Sequence, residues 1–473
     1  MKLESTFAAL AAALLLAGCA SYKGIEPEAQ LRTPQSLGLT GAPAQRLAPD
    51  WWKAFGDEQL DRLVAQALAG NPNLKVAQAR LRRAQSVLEV ANAATQPQVN
   101  GSFEATRQRY TENGLFPPPI AGSVRDSATL QLGASWELDF FGRYSEALEA
   151  ALGSARAAQA DAEAARILLA ANVARGYLQL ARIHDQLAVA RRTLAQRTES
   201  LKLVTDRVNA GLDTTLEQRQ AEGALPEARQ QIEALQEQAQ IARNAIAALV
   251  AQPDIQIEER PLSALKPAAP PQVLPADLLA RRADVAAARW RAEAATHDVA
   301  SAKAQFYPNV NLTAFLGLSS LGLGKLLDAG SLQWGVGPAI HLPVFDAGRL
   351  RANLRGKTAD LDAAVETYNA TVLDAIRETA DQVATLQSIG KQQREQRDAQ
   401  AAAEGAYEIA LQRYRAGLGT YLNVLTAETA VLNQRRLAVD LAGRALDAQV
   451  QLMRALGGGY TDAEAPLPVA AKN

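Results

Sequence analysis

The chain has 473 residues, a length that alone would allow about three domains. Its 49 Lys+Arg balance 50 Asp+Glu at a net charge of -1, which excludes a basic footprint for nucleic acid; its single Cys excludes internal disulfides and Cys-rich metal sites. Hydrophobic residues reach 48% with only 5% aromatic, and the surplus is mostly alanine, a balance that favours long helices packed at close range.

In chain order, residues 1-18 carry Lys2, an apolar run from Phe7 to Leu16, and Leu16-Ala17-Gly18 directly before the sole cysteine, Cys19. This pattern resembles a bacterial lipoprotein signal peptide, in which small residues permit cleavage and the new N-terminal Cys19 carries the lipid. Ala20, with no acidic neighbour, resembles the pattern sent on to the outer membrane of a Gram-negative cell. Beyond this segment no apolar run reaches about 18 residues, so a bilayer crossing is expected only as strands.

The arm at 19-57 contains Trp51-Trp52, expected to pack against helices. A first unit, 58-250, opens with a helical pattern from Glu58 to about Ala94. Two stretches of period 2 follow, about 98-111 and 127-141; in the second, Ala128, Leu130, Leu132, Ala134, Trp136, Leu138 and Phe140 alternate with polar or small residues. A helical stretch at about 143-209 comes next, roughly 100 Å long at 1.5 Å per residue. Stepping by fours and threes from Leu148, 11 of 14 positions are apolar, the seam of a coiled coil. Gly211 ends this helix, and a return helix at 212-250 contains Pro226, which is expected to kink it.

After a linker at 251-274, the unit at 275-456 repeats this plan. It has a helix from Pro275 to about Phe306, strands at about 309-318 and 331-345, a long helix at about 349-415 and a return helix at 418-456; the tail is 457-473. The seam of the second long helix is poorer, 8 of 14 by the same register. Gly142-Arg143 recurs as Gly348-Arg349, and 348 - 142 is 206. Arg207-Val208-Asn209-Ala210-Gly211-Leu212 recurs as Arg413-Tyr414-Arg415-Ala416-Gly417-Leu418 at the same offset. Two landmarks at one spacing identify a tandem structural repeat.

Each strand is about ten residues, the length of a tilted membrane strand. Four strands cannot close a barrel, and an open edge in lipid leaves backbone groups unpaired at several kcal/mol each. The barrel must then be shared between chains. Two chains give eight strands and a filled interior, whereas three give twelve and leave a lumen, which suits inward Gly133, Ser135, Gly335 and Gly337.

Several stretches carry a family resemblance: Trp51-Trp52-Lys53-Ala54-Phe55-Gly56-Asp57, Asn71-Pro72-Asn73-Leu74, Leu278 through Val285, Phe306-Tyr307-Pro308, Leu342 through Leu350, and Arg413 through Gly417 with Tyr421-Leu422 and Val424-Leu425. Together they resemble the outer-membrane efflux factors of the TolC/OprM type, in their lipoprotein (NodT-type) branch. The resemblance implies a mainly α fold with a membrane β-barrel portion: a homotrimer whose 12-strand outer-membrane barrel continues into a 12-helix periplasmic coiled-coil tunnel. It also implies the passive exit duct of a tripartite pump, joined by a periplasmic adaptor (membrane fusion protein) to an inner-membrane resistance-nodulation-division transporter that supplies the energy. Small toxic compounds are the implied cargo. A polypeptide secretion duct, or a lipid-anchored coiled coil without a pore, are the alternatives.

By this likeness Gly211, Leu212, Gly417 and Leu418 form the periplasmic tip that meets the adaptor, and Leu422 matches a hydrophobic constriction. At Thr426 and Thr429 related channels often carry an aspartate and an arginine that latch the aperture; Glu217, Glu222 and Glu428 lie near enough in sequence to replace that latch. His184, His297 and His341 are scattered, and no nucleophile elbow, phosphate loop or metal-ligand pair occurs. No enzyme activity, metal or cofactor is expected.

Overall fold

The computed structural model describes residues 21-32, 47-267, 281-343 and 345-461. Cys19 and the signal segment lie outside the described residues. A 3-10 turn at Trp51–Phe55 leads to α1 (Glu58–Gly70), α2 (Pro72–Ala94), β1 (Gln98–Arg109), β2 (Val124–Leu138), α3 (Arg143–Asn209) and α4 (Thr215–Val250). The second half comprises α5 (Ala283–Ala304), β3 (Asn309–Leu321), β4 (Leu332–His341), α6 (Arg349–Arg415) and α7 (Tyr421–Ala455).

The helical pattern from Glu58 to Ala94 is two helices rather than one. Asn71 breaks it: its side chain accepts hydrogen bonds from Asn73 N (2.9 Å) and Leu74 N (3.3 Å), and Pro72 sits where a missing N–H costs nothing. The Asn71 amide also donates to Leu249 O at 2.8 Å, so the break is fastened to the end of α4. Asp57 caps α1 in the same way through Gln59 N and Leu60 N, and accepts the Tyr177 hydroxyl of α3 at 2.9 Å. Around these caps Trp51, Trp52, Phe55, Leu60, Leu63 and Val64 pack with Tyr177, Leu180 and Ile246 in the largest core cluster.

Elsewhere alanine sets the spacing. At Gly153 of α3 an added Cβ would lie 3.0 Å from that of Ala294 in α5, so these helices approach nearly backbone to backbone. In its lower part α3 packs on α4 and α7, and α6 pairs with α7. Helix α4 runs unbroken through Pro226.

The four strands make one antiparallel sheet in the order β1-β2-β3-β4. Its register aligns Phe103, Leu130, Leu318 and Leu332 in one rung and Gly101, Leu132, Leu316 and Trp334 in the next, giving one continuous apolar face that is largely exposed. The opposite face carries Ser102, Gln131, Gly317 and Gln333, then Asn100, Gly133, Phe315 and Gly335. Among the described residues β1 and β4 pair on one side only.

Strand ends differ from the sequence pattern where a carboxylate claims the backbone. β2 starts at Val124 and stops at Leu138 because Asp139 turns to cap α3, accepting from Tyr144 N (3.0 Å) and Ser145 N (2.7 Å); Phe140 and Phe141 leave the ladder. β4 stops at His341, before Pro343, and Asp346 caps α6 through Gly348 N and Leu350 N.

Gly317 has the tightest place in the sheet, since an added Cβ would lie 2.4 Å from Leu130 O. Gly317→Ala is expected to destabilise the sheet by about 1–3 kcal/mol. Thermal loss of the β signal of the detergent-solubilised protein checks this, with Gly133→Ala, whose Cβ meets nothing within 4 Å, as the neutral control.

Candidate functional site: the helical tip

Both long helices end alike. Gly211 (φ 69°) and Gly417 (φ 74°) take the left-handed conformation, and the next amides reach back to close the turn, Leu212 N to Arg207 O at 2.9 Å and Leu418 N to Arg413 O at 2.8 Å. Return helices begin three residues later than their patterns suggest, at Thr215, where the Thr214 side chain caps the first turn, and at Tyr421, after Thr420 in the N-cap position. A leucine at the second position past such a turn ordinarily packs back on its helix. Here Leu212 and Leu418 are instead 65% and 69% exposed, two apolar side chains at the end of the molecule.

Beside the turns lies a polar clamp between the two repeats. Arg207 of α3 donates to Asp213 at 2.9 Å, the Tyr414 hydroxyl of α6 donates to the same carboxylate, and the Arg207 guanidinium lies 4.7 Å from the Tyr414 ring centre. Burial opposes the charge on Asp213, but the bonds from Arg207 and Tyr414 outweigh it and hold the carboxyl below its usual range. Tyr414 is itself buried and pushed up, by desolvation and then by Asp213. Above the clamp Tyr414, Tyr421 and Tyr407 pack with Val204, Val424 and Val431.

A second set of charges crosses all four helices about 18 Å above the turn, twelve residues at 1.5 Å each. Arg435 of α7 grips Glu404 of α6 with two bonds (2.8 and 2.9 Å) and Gln196 of α3 with a third (2.9 Å). Arg197 of α3 pairs with Glu428 of α7 at 3.3 Å and donates to Ala224 O of α4 at 2.8 Å.

Helical geometry separates residues that sequence proximity had grouped. Leu422, Thr426 and Thr429 step by four and three along one exposed face of α7, Leu422 at 61%. Glu428 belongs to the other face, with Tyr421, Val424, Val431 and Arg435, and is only 5% exposed. It is therefore an interhelical ion-pair partner inside one protomer and not a carboxylate of the free surface; burial raises its pKa, against the pull of Arg197. Glu217 is the third residue of a capping box, accepting from Thr214 N at 2.9 Å and from the Thr214 hydroxyl, and these bonds lower its pKa. Glu222 pairs with Arg219 one turn away at 2.9 Å.

Sequence patterns do not single out Asp213, Glu404 or Arg435, and they mark Arg207 and Tyr414 only as landmarks of the repeat. At an offset of 206, Tyr414 matches Val208 and Asp213 matches Gly419, so two of the three clamp residues sit where the copies differ, while Arg207 matches Arg413. Leu216, the counterpart of Leu422 at the offset of 206, is 62% exposed as well. Among the described residues no group of three or more His, Cys, Asp or Glu is placed to hold a metal, and no helix is long and apolar enough to cross a membrane.

The family model for outer membrane efflux proteins matches residues 63–252 and 274–458. The chain belongs to the outer membrane efflux protein family. The efflux protein is 38% identical, over 74% of its length and 69% of the relative's, to the fusaric acid resistance protein FusA of Burkholderia cepacia. It is 32% identical to the pyoverdine export outer membrane protein OpmQ of Pseudomonas aeruginosa, covering 95% of this chain and 96% of the relative. Among solved structures, the outer membrane protein VceC of Vibrio cholerae superposes with a TM-score of 0.83 at 36% identity, covering 87% of this chain and 99% of that one. Membership makes the efflux protein a channel component and not an enzyme.

Glu404 is held down to about 2 from an ordinary 4.5, chiefly by the hydrogen bonds from Arg435. A folded value below the unfolded one means that this pair stabilises the protein above about pH 4.5 and ceases to do so as pH falls toward 2. Glu404→Gln is expected to cost about 1–3 kcal/mol at neutral pH, with the difference from wild type shrinking across that acid window. Denaturant unfolding followed at several pH values reads both effects.

Proposed function

We propose that the protein is the outer-membrane exit channel of a tripartite efflux pump, a homotrimer that conducts small toxic compounds passively from the periplasm to the exterior. The observation that carries this reading is the four-stranded sheet with one continuous apolar face and two unpaired edges, β1 and β4, set on helices of 67 residues. Three copies supply twelve strands, enough to close a barrel with a lumen lined by the polar face, and twelve helices for the tunnel below it.

Lipid anchoring at Cys19 is part of the proposal, and the strap at 21-32 supports it. Ser21 O accepts from Arg351 in the first turn of α6, Tyr22 meets Phe306 edge-on at 5.6 Å and its hydroxyl lies 3.3 Å from that of Tyr307, beneath β3. Farther along, Glu28 N and Ala29 N both donate to Asp362 at 2.9 Å, and Asn369 bonds Arg32 N and Gln30 O. The strap thus brings the chain, two residues from Cys19, to the junction of strands and helices, where a lipid on that residue meets the inner leaflet.

At the other end, Gly211, Leu212, Gly417 and Leu418 form the surface offered to a periplasmic adaptor, which links the channel to an energy-supplying inner-membrane transporter of the resistance-nodulation-division type. Leu422 and Thr426, on the free face of α7, line the constriction. Glu217 and Glu222 border it, while Glu428 acts behind it through Arg197. The relatives are named for fusaric acid resistance, pyoverdine export and multidrug resistance, which favours small organic cargo over polypeptides.

Deletion of the gene is expected to sensitise cells to at least one class in a panel of drugs, dyes, solvents and metal salts; unaltered resistance throughout would count against an efflux role. In planar bilayers Leu422→Ser is expected to raise single-channel conductance, and an unchanged conductance would remove Leu422 from the constriction. Cys19→Ser is expected to abolish incorporation of labelled palmitate, and continued labelling would refute anchoring at this residue.

A further inference from the structure

The polar face of the sheet carries a single benzenoid ring among the described strands, Phe315 of β3. Its cross-strand neighbours are Gly133 of β2 and Gly335 of β4, so no side chain stands beside it in its own rung. One ring edge occupies the space above Gly335: a Cβ added there would fall 2.6 Å from Phe315 Cε1 and 2.9 Å from Cζ. The ring remains 39% exposed. On one side the next rung holds Gln131 and Gln333, whose amides bond to each other at 3.2 Å; on the other lie Ser135, Thr313 and Gly337. The setting is an aromatic plate on a floor of glycine, edged by amide and hydroxyl groups.

We propose that Phe315 is a transient binding platform for planar aromatic solutes moving through the barrel, an inference that rests on the polar face being the lumen. Apart from Leu321 at the far end of β3, the other positions on this face of the sheet are small or polar, so an exposed ring there is poorly hydrated and offers a π surface in return. On the side away from Gly335, Gly133, where an added Cβ would meet nothing within 4 Å, leaves room for a flat solute to approach that surface. The neighbouring Gln131 and Gln333 amides can accept or donate to its polar substituents. Threefold symmetry sets three such rings at one height, so a solute leaving one meets another, and the weakness of each contact keeps passage reversible. The competing role is structural, the ring merely covering the bare backbone of Gly335.

Open-channel block of the full-length protein in planar bilayers separates the two. N-methylquinolinium and tetraethylammonium carry the same charge, but only the first is planar and aromatic. The wild-type channel is expected to be blocked by N-methylquinolinium at lower concentration than by tetraethylammonium. Phe315→Leu and Phe315→Met should each raise the half-blocking concentration of the aromatic cation by about three- to tenfold and leave that of the other unchanged, while Phe315→Tyr retains the block. If the leucine variant does not assemble, the flexible methionine decides. An unshifted aromatic block in the non-aromatic variants, an equal shift for both cations, or loss of block in the tyrosine variant would overturn the platform while leaving the channel intact. Absence of any conductance in the wild type would instead defeat the lumen reading, and the platform with it.

Discussion

For a sheet placed in the bilayer, as in the proposed channel, backbone hydrogen bonding in a solvent that offers no partners is the constraint on which the rest depends. Within the sheet β2 and β3 are satisfied on both sides, but β1 and β4 each present an unpaired row of amides and carbonyls. Phe103, Leu132, Leu316 and Trp334 face outward on the same surface, so water is a poor environment for the face and lipid an impossible one for the edges. In the proposed trimer, pairing β4 of one chain with β1 of the next satisfies both conditions at once. The placement of Pro338 on β4 fits this, because proline is tolerated at an edge strand and not in the middle of a sheet.

The same economy of neighbours shapes the helical part. Alanine and glycine let α3 and α5 approach closely beneath the sheet, and farther down the contacts become selective. Arg207, Asp213 and Tyr414 join the two repeats at the turn, and Arg435 and Arg197 join all four helices above it, with three tyrosines between these polar layers. A tip built this way behaves as a block tied at both ends. Tyr421 is pushed up to about 12 by burial and by the nearby Glu428 charge, so its hydroxyl stays protonated through the whole physiological range. Any displacement of the exposed face of α7 either carries the buried face along or breaks the charged pairs of Arg435 and Arg197.

Much of this was legible in the residues. The positive-φ turns are visible because Gly211 and Gly417 recur at one spacing, and the strands because Leu130, Leu132, Ala134 and Trp136 alternate with polar residues. Positions where a side chain competes for the backbone were harder: Asn71 splits one apparent helix, and Asp139 ends β2 before its apolar pattern ends. Glu428 is six residues from Leu422, and at 100° per residue that sets it about 120° around the helix, off the exposed face and onto the buried one. Asp213 and Tyr414 escaped notice because a repeat draws the eye to agreement, and their contact exists where the copies disagree.

Counting the chains in one particle tests the shared barrel most directly. Native mass spectrometry of the full-length protein, extracted from outer membranes in a mild detergent, should give three chains per particle. A stable particle of one chain, or one that dissolves without detergent, would contradict a barrel closed between copies.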